Sequence, residues 1–255
     1  KMFIRKSYIH QLIKEELTHI LELEKIPVLE GVSKSFNDPL QVLKAFAKKL
    51  AARGYDVSNA KELGSGYNGV VYEYGSGEHV IKITIDDNEA RTANHLKGKG
   101  KKTPHIIPIH DVFRFKTGNE SKWYGIIETK ADKSFDKKED FNMYVKLILN
   151  NLSLSVMQQL HSSPWILPWQ EIEERVLKNT EPDPEEYKTA QEGFAFLKSL
   201  EFDKLLAELK KNQVEYFDVH ADNFMFYNDK FVLVDLGGNS QSPGEEPNML
   251  EKKIR

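Results

Sequence analysis

Apolar side chains at positions 9, 12, 13, 17, 20 and 21 recur at helical spacing and predict an amphipathic helix over residues 7–24. Asp38-Pro39 supplies a cap and a first-turn proline for a second helix, which stops where Gly54 follows Arg53. From Ala60 to Ile85 the period changes. β-Branched and aromatic residues alternate between glycines and predict strands over 60–66, 69–75 and 78–85, with Gly75-Ser76-Gly77 as the second turn. A short helix is expected over 87–97, capped by Asp86 and Asp87, and two further strands over 106–115 and 122–128. Beyond Lys130 the pattern is helical over 138–162, 169–179 and 183–212, the last opening after Pro182-Asp183-Pro184. A small hairpin then forms from 223–227 and 231–234 around Asn228-Asp229-Lys230. The residues after Gly238 are rich in Ser, Pro, Gly and Glu and read as a flexible tail over 239–255. The pattern is α+β, with a five-stranded antiparallel part carrying one inserted helix, followed by a mostly helical part.

With 40% hydrophobic residues and 14 Phe, 10 Tyr and 3 Trp in 255 residues, the chain can pack a sizeable interior. Its net charge of −3 provides no global field for nucleic acid or acidic membrane, and Lys97-Gly98-Lys99-Gly100-Lys101-Lys102 reads as a solvated basic loop. There is no cysteine, which excludes disulfides, thiolate metal sites and a cysteine nucleophile. The cytoplasm is the expected compartment. No apolar stretch approaches the roughly 18 residues that span a bilayer, and Lys1–Lys6 lacks a signal's apolar core. The eight histidines show no ligand spacing.

Four short strings then carry the chemistry. Gly64-Ser65-Gly66-Tyr67-Asn68-Gly69-Val70-Val71 lies between two strands, where glycines let a hairpin backbone lie over a triphosphate. Lys82 stands in Val80-Ile81-Lys82-Ile83, a charged side chain on an otherwise apolar strand, and needs a partner. Asp218-Val219-His220-Ala221-Asp222-Asn223 precedes the late hairpin and Val234-Asp235-Leu236-Gly237 ends it. Asp222 is a competing carboxylate in the first of these, but its fifth follower is Tyr227, a poor metal ligand, so Asp218 with Asn223 fits better. Asn223 and Asp235 give an oxygen set that suits Mg²⁺ better than zinc.

In this order the strings resemble the protein-kinase-like superfamily over about residues 60–238, closest to compact prokaryotic or phage-type members whose catalytic loop reads Asp-x-His-x-x-Asn. The resemblance implies a bilobal fold: an N-terminal helical extension at 1–55, an N-lobe at 56–130, a truncated C-lobe at 131–238 and the tail. It implies ATP and Mg²⁺, with Gly64, Ser65, Gly66, Tyr67, Asn68 and Gly69 over the phosphates and Val71 on the adenine face. Lys82 grips phosphate oxygens and Glu89 pairs with it. Glu128 and Lys130 lie at the hinge, where main chain rather than side chain would bond the adenine edge. Asp218 is the base, and Asn223 and Asp235 hold the metal. His220 stands where many kinases carry lysine; it contacts the γ-phosphate when protonated or braces the loop.

An activation segment and an Ala-Pro-Glu string are missing after Gly237, so the acceptor platform is expected from the N-terminal helices, from 138–212 or from a partner chain. The expected reaction is transfer of the γ-phosphoryl group to a hydroxyl, with protein Ser/Thr favoured over a small molecule. A nucleotide-binding pseudokinase whose first 55 residues recruit a protein partner, and an adenylyltransferase, are the alternatives. No nucleic-acid or membrane partner is expected.

Overall fold

The computed structural model describes residue 17 and residues 21–31, 34–66, 68–118, 122–152, 167–214 and 219–237. Most of the helix expected over 7–24, Tyr67, Asp218, the second half of the helix expected over 138–162 and the tail lie outside the described residues.

Two sheets organise the chain. The larger has six strands in the order β1 (Val28–Leu29), β5 (Ile109–Phe115), β6 (Trp123–Thr129), β4 (His79–Thr84), β3 (Gly69–Tyr74) and β2 (Lys61–Ser65). Five of these are the antiparallel strands expected from the alternation, within a few residues at each end. The sixth corrects the expected count. β1 runs parallel to β5, with the Arg114 amide donating to the Pro27 carbonyl at 2.9 Å and the Lys116 amide to Leu29 at 3.1 Å. Two residues are too short for a period to register, and they covered an edge that would otherwise leave unpaired amides.

Helix α1 (Pro39–Ala51) starts on the Asp38 cap, whose side chain accepts from the Leu40 amide at 2.8 Å, and ends before Gly54 at φ 93°. It lays Val42, Leu43, Phe46 and Leu50 on one face of the large sheet, against Ile81, Ile83, Phe113, Phe115 and Ile127. Helix α2 (Asp87–Leu96) covers the other face with Ala90, Ala93 and Leu96 against Val112, Tyr124 and Ile126. Covered on both sides, β4 is buried from Val80 to Thr84, so its alternation sorts residues between two interiors rather than between interior and water. Each fully buried leucine, isoleucine or phenylalanine contributes about 1.5–3 kcal/mol.

From Thr129 the chain crosses to the smaller sheet, β7 (Lys133–Ser134), β8 (Phe224–Tyr227) and β9 (Lys230–Leu233). Around it pack α3 (Lys138–Asn151), α4 (Trp169–Thr180), α5 (Pro184–Ser199) and α6 (Phe202–Lys211). Phe224 and Phe231 stack at 4.9 Å, with the Phe141 ring tilted against both.

Two expected boundaries differ. The segment expected as one helix over 183–212 is two, because Glu201 takes a left-handed φ of 57° and turns the chain so that Phe202, Leu205, Leu206 and Leu209 reach the interior. No glycine or proline marks that break. The strand expected from 106 begins at Ile109, since Pro108 lacks an N–H. The residues before it pair elsewhere: the Leu233 amide donates to the His105 carbonyl, and the Ile107 amide to the Leu233 carbonyl, both at 3.0 Å. This clasp holds the end of β9 against the large sheet.

Candidate active site

Lys82 occupies the α2 side of β4, with Val71 opposite it on β3 and Ile126 opposite on β6. An ammonium there needs compensation, and two carboxylates supply it. Nζ lies 2.5 Å from Glu89 Oε1 and 2.8 Å from Asp235 Oδ1. Glu89 comes from the first turn of α2 and is 1% exposed; Asp235 follows β9, 153 positions from Lys82 along the chain. The seven-residue separation from Lys82 therefore suffices for Glu89 to reach it.

Burial by itself lowers the Lys82 ammonium pKa, but Glu89 and then Asp235 outweigh it and hold the group above its ordinary range. Burial raises Glu89 above the usual carboxylate range, which Lys82 offsets only in part. Asp235 is also raised by burial, yet Lys82 and the Gly237 amide, donating at 2.8 Å, leave it net lowered. The chain thus holds a charged Lys82–Asp235 contact beside a buried acid whose affinity for a proton is raised.

Asp86 sets this geometry. Its Oδ1 accepts from the Asn88 amide at 2.9 Å and the Glu89 amide at 3.1 Å, while Oδ2 accepts from Asn68 Nδ2 at 3.3 Å. It is the helix cap; Asp87 is instead the first helical residue and pairs with Lys122. One carboxylate thereby ties the β2–β3 turn to the start of α2. Asp86→Ala is expected to cost about 1–2 kcal/mol through the lost cap, and Asp86→Asn, which keeps an acceptor oxygen, much less. Urea denaturation of both variants checks it; equal losses would assign the effect to charge rather than capping.

The turn between β2 and β3 closes with the Gly66 amide donating to the Gly69 carbonyl at 2.8 Å. The Asn68 carbonyl accepts from the Ile85 amide and Thr84 Oγ1, at 3.0 and 3.2 Å. Gly69 is required by packing, since a Cβ would sit 2.5 Å from the Ile83 carbonyl oxygen. Gly64 and Gly66 differ. Neither has a positive φ, and a Cβ at either would meet nothing within 4 Å. Neither close packing nor backbone conformation calls for glycine at these two positions. Ser65 pairs with Val70 in the same hairpin, and Val71 is half-buried on the Lys82 face.

Asn223 closes a short 3₁₀ turn, Ala221–Asn223, and its carbonyl accepts the Val234 amide at 2.9 Å. With Phe224 opposite Leu233, the hairpin brings Asn223 beside the residue preceding Asp235. One neutral and one anionic oxygen donor in this position suit a hard cation such as Mg²⁺. Among the described residues no cluster of three or more His, Asp or Glu groups could hold a metal by itself. His220 is half-exposed, with Nδ1 3.7 Å from Asp222 Oδ2. Asp222 in turn bonds Lys138 Nζ at 2.6 Å, the first cause of its lowered pKa.

Asn142 Oδ1 accepts the Ala221 amide at 2.8 Å, so α3 braces this turn from below. Asn142 and Lys138 carry no sequence signal, because a brace from a distant helix leaves no local pattern.

At the expected hinge the Lys130 amide donates to the Glu78 carbonyl at 2.9 Å and its ammonium to Glu73 at 2.7 Å. Glu128 directs a buried side chain to the Lys82 face. The site therefore gathers Lys82, Glu89, Asp235, Asn223, Val71, the glycine turn and Glu128, while Lys130 is engaged with β3 and the β3–β4 turn.

No protein-family model matches the chain, and no curated protein does. Among solved structures it is similar to the L. pneumophila effector kinase LegK7, solved in complex with human MOB1A, with 17% identity and a TM-score of 0.30. The similarity covers 77% of this chain and 33% of that one, so this chain spans about a third of that protein's length. A likeness this loose establishes neither activity nor partner.

Proposed function

We propose that this chain is a protein-kinase-like phosphotransferase that moves the γ-phosphoryl group of ATP to a hydroxyl, with lobes at 56–130 and 131–238, the first of them extended by β1, which joins its sheet, and by α1, which covers one face, in place of the separate helical extension expected at 1–55. The observation that carries the reading is the buried Lys82–Glu89–Asp235 cluster, assembled from a strand, a helix and a loop beyond the second sheet. A lysine steered by one carboxylate and facing a second, beneath a hairpin with two glycines the fold does not need, is the arrangement that phosphate binding asks for.

In this reading Lys82 holds phosphate oxygens, Glu89 keeps its ammonium aimed, and the open turn at Gly64 and Gly66 admits the phosphates to backbone amides. Asn223 and Asp235 would hold Mg²⁺, which when bound neutralises phosphate charge. Asp218, carried from the resemblance, takes the proton of the acceptor hydroxyl, and His220 braces its loop through Asp222 and Lys138. The acceptor class is a protein Ser/Thr or a small-molecule hydroxyl. Among the described residues no helix is long and apolar enough to cross a membrane.

The test is transfer from ATP labelled at the α or the γ position, with intact mass of the protein measured afterwards. Wild type is expected to release or incorporate γ label only, and Asp218→Asn to bind ATP while losing transfer. Transfer of α label would replace the kinase by an adenylyltransferase. Binding without transfer in wild type, with both generic hydroxyl acceptors and itself as substrate, would leave a pseudokinase.

A further inference from the structure

Two imidazoles meet on the opposite face of the large sheet from the Lys82 cluster. His79 opens β4 and lies opposite Thr129 at the end of β6, and both share with Ile81 and Ile127 the face that α1 covers. His110 belongs to β5, on the other side of β6. There the register shifts between Ile109, opposite Glu128, and Asp111, opposite Ile127, so His110 is an extra residue with no strand partner of its own. A bulge of this kind re-aims a side chain. It brings the His110 ring onto Thr129 and up to His79, with ring centroids 4.8 Å apart and planes at 74°.

The hydrogen bonding of the pair is unequal. His110 Nε2 lies 2.7 Å from Thr129 Oγ1, whereas His110 Nδ1 and both ring nitrogens of His79 have no hydrogen-bond or ion-pair partner among the described residues. Burial lowers the His110 pKa and the neighbouring His79 lowers it further, which favours the neutral ring. A neutral ring whose Nε2–H donates to a hydroxyl presents Nδ1 as a lone pair, the arrangement that fixes the tautomer of metal-bound histidines. Solvent reaches both residues, His110 being exposed and His79 half-buried.

We propose that His79 and His110 form a binding site for a divalent transition ion of the zinc and copper class, with Thr129 holding the His110 tautomer. Imidazole suits these ions and not Mg²⁺, so the site differs in chemistry from Asn223 and Asp235. Two imidazole nitrogens at about 2.0–2.1 Å from one tetrahedral ion bring their ring centroids to about 5 Å apart. The observed separation matches, and binding asks only that the unbonded His79 ring turn a nitrogen towards His110 Nδ1. Among the described residues no third His, Asp or Glu completes a cluster, so water fills the remaining positions. A bound ion ties the ends of β4 and β5 across β6, where the chain leaves for the second sheet.

Calorimetric titration of the full chain with Zn²⁺ in excess Mg²⁺ tests this, beside urea denaturation with and without Zn²⁺. Wild type is expected to bind one Zn²⁺ more than the double variant His79→Gln with His110→Gln, and Zn²⁺ to raise the urea midpoint of wild type but not of that variant. Thr129→Val, which removes the outer hydroxyl, is expected to weaken the same binding by about tenfold. Independently of any variant, one equivalent of Cu²⁺ bound to wild type is expected to show two nitrogen ligands by electron paramagnetic resonance. Equal Zn²⁺ binding in wild type and double variant, no Zn²⁺ binding by wild type, or fewer than two nitrogens on Cu²⁺ each overturn the inference. Any of these results leaves the phosphotransferase reading standing, because the site shares no residue with it.

Discussion

Lys82→Met is expected to remove phosphoryl transfer, by at least about a hundredfold, and at the same time to destabilise the fold by about 3–5 kcal/mol. The two effects have one origin. Without the ammonium, Glu89 is left 1% exposed with Asp235 beside it and no cation in contact. The carboxyl then takes up a proton, so the loss depends on pH. A group whose folded pKa lies above its unfolded value contributes stability that is complete below the unfolded value, near 4.5 for this carboxyl, and disappears as pH rises towards the folded one. Removing Lys82, which lowers Glu89, moves the folded value higher still, and the variant is expected to be closest to wild type in weak acid and furthest from it in mild alkali. Urea denaturation at both ends of that range checks the sign. The double variant Lys82→Met with Glu89→Leu is expected to recover most of the stability and none of the transfer; recovery of transfer would detach the lysine from the chemistry.

Asp235→Asn separates those effects. The Asp235 side chain is 39% exposed, and Lys82 keeps Glu89 when Asp235 is neutralised, so the expected cost in stability is at most about 1 kcal/mol. Its carboxylate is net lowered. Whatever stability it contributes is present above the unfolded value near 3.8 and is lost only as pH falls through the folded one, so Asp235→Asn is expected to flatten the acid limb alone. Transfer, in contrast, is expected to fall by at least about a hundredfold, and the gain in nucleotide affinity on adding Mg²⁺ to disappear. Mg²⁺-dependent calorimetry beside a γ-label assay measures both. A variant that keeps Mg²⁺-dependent nucleotide binding would remove Asp235 from the metal and leave it as a structural partner of Lys82.

The two variants differ because their environments differ. Lys82 is buried on the α2-covered face of the large sheet, where any unpaired charge is expensive, whereas the Asp235 side chain, following the second sheet's β9, is 39% exposed. The same contrast explains how much of the site could be read in advance. Lys82 stood out as a charge in an apolar strand, and Gly64, Gly66 and Gly69 as a cluster inside alternation, because both break a local pattern. Lys138 and Asn142 are ordinary polar residues on an amphipathic helix, and only the approach of α3 to the Ala221–Asn223 turn gives them a use. Glu128 was seen in its strand, but whether it pointed to water or to Lys82 depended on which sheet face α2 covers.

The same division holds for the fold. Period-two runs from residue 60 to 129, the Asp38-Pro39 and Pro182-Asp183-Pro184 starts and the Asn228-Asp229 turn were legible because dihedral preference, capping and side-chain alternation act over a few residues. The parallel edge strand at Val28–Leu29, the left-handed break at Glu201 and the clasp of His105–Ile107 on Leu233 were not. Each is imposed by partners far along the chain that supply missing hydrogen bonds or an interior to fill. Local order in the residues decided which elements form and which groups could do chemistry. Their meeting was decided by burial, which left Lys82 no water to pair with and brought Glu89 and Asp235 to it.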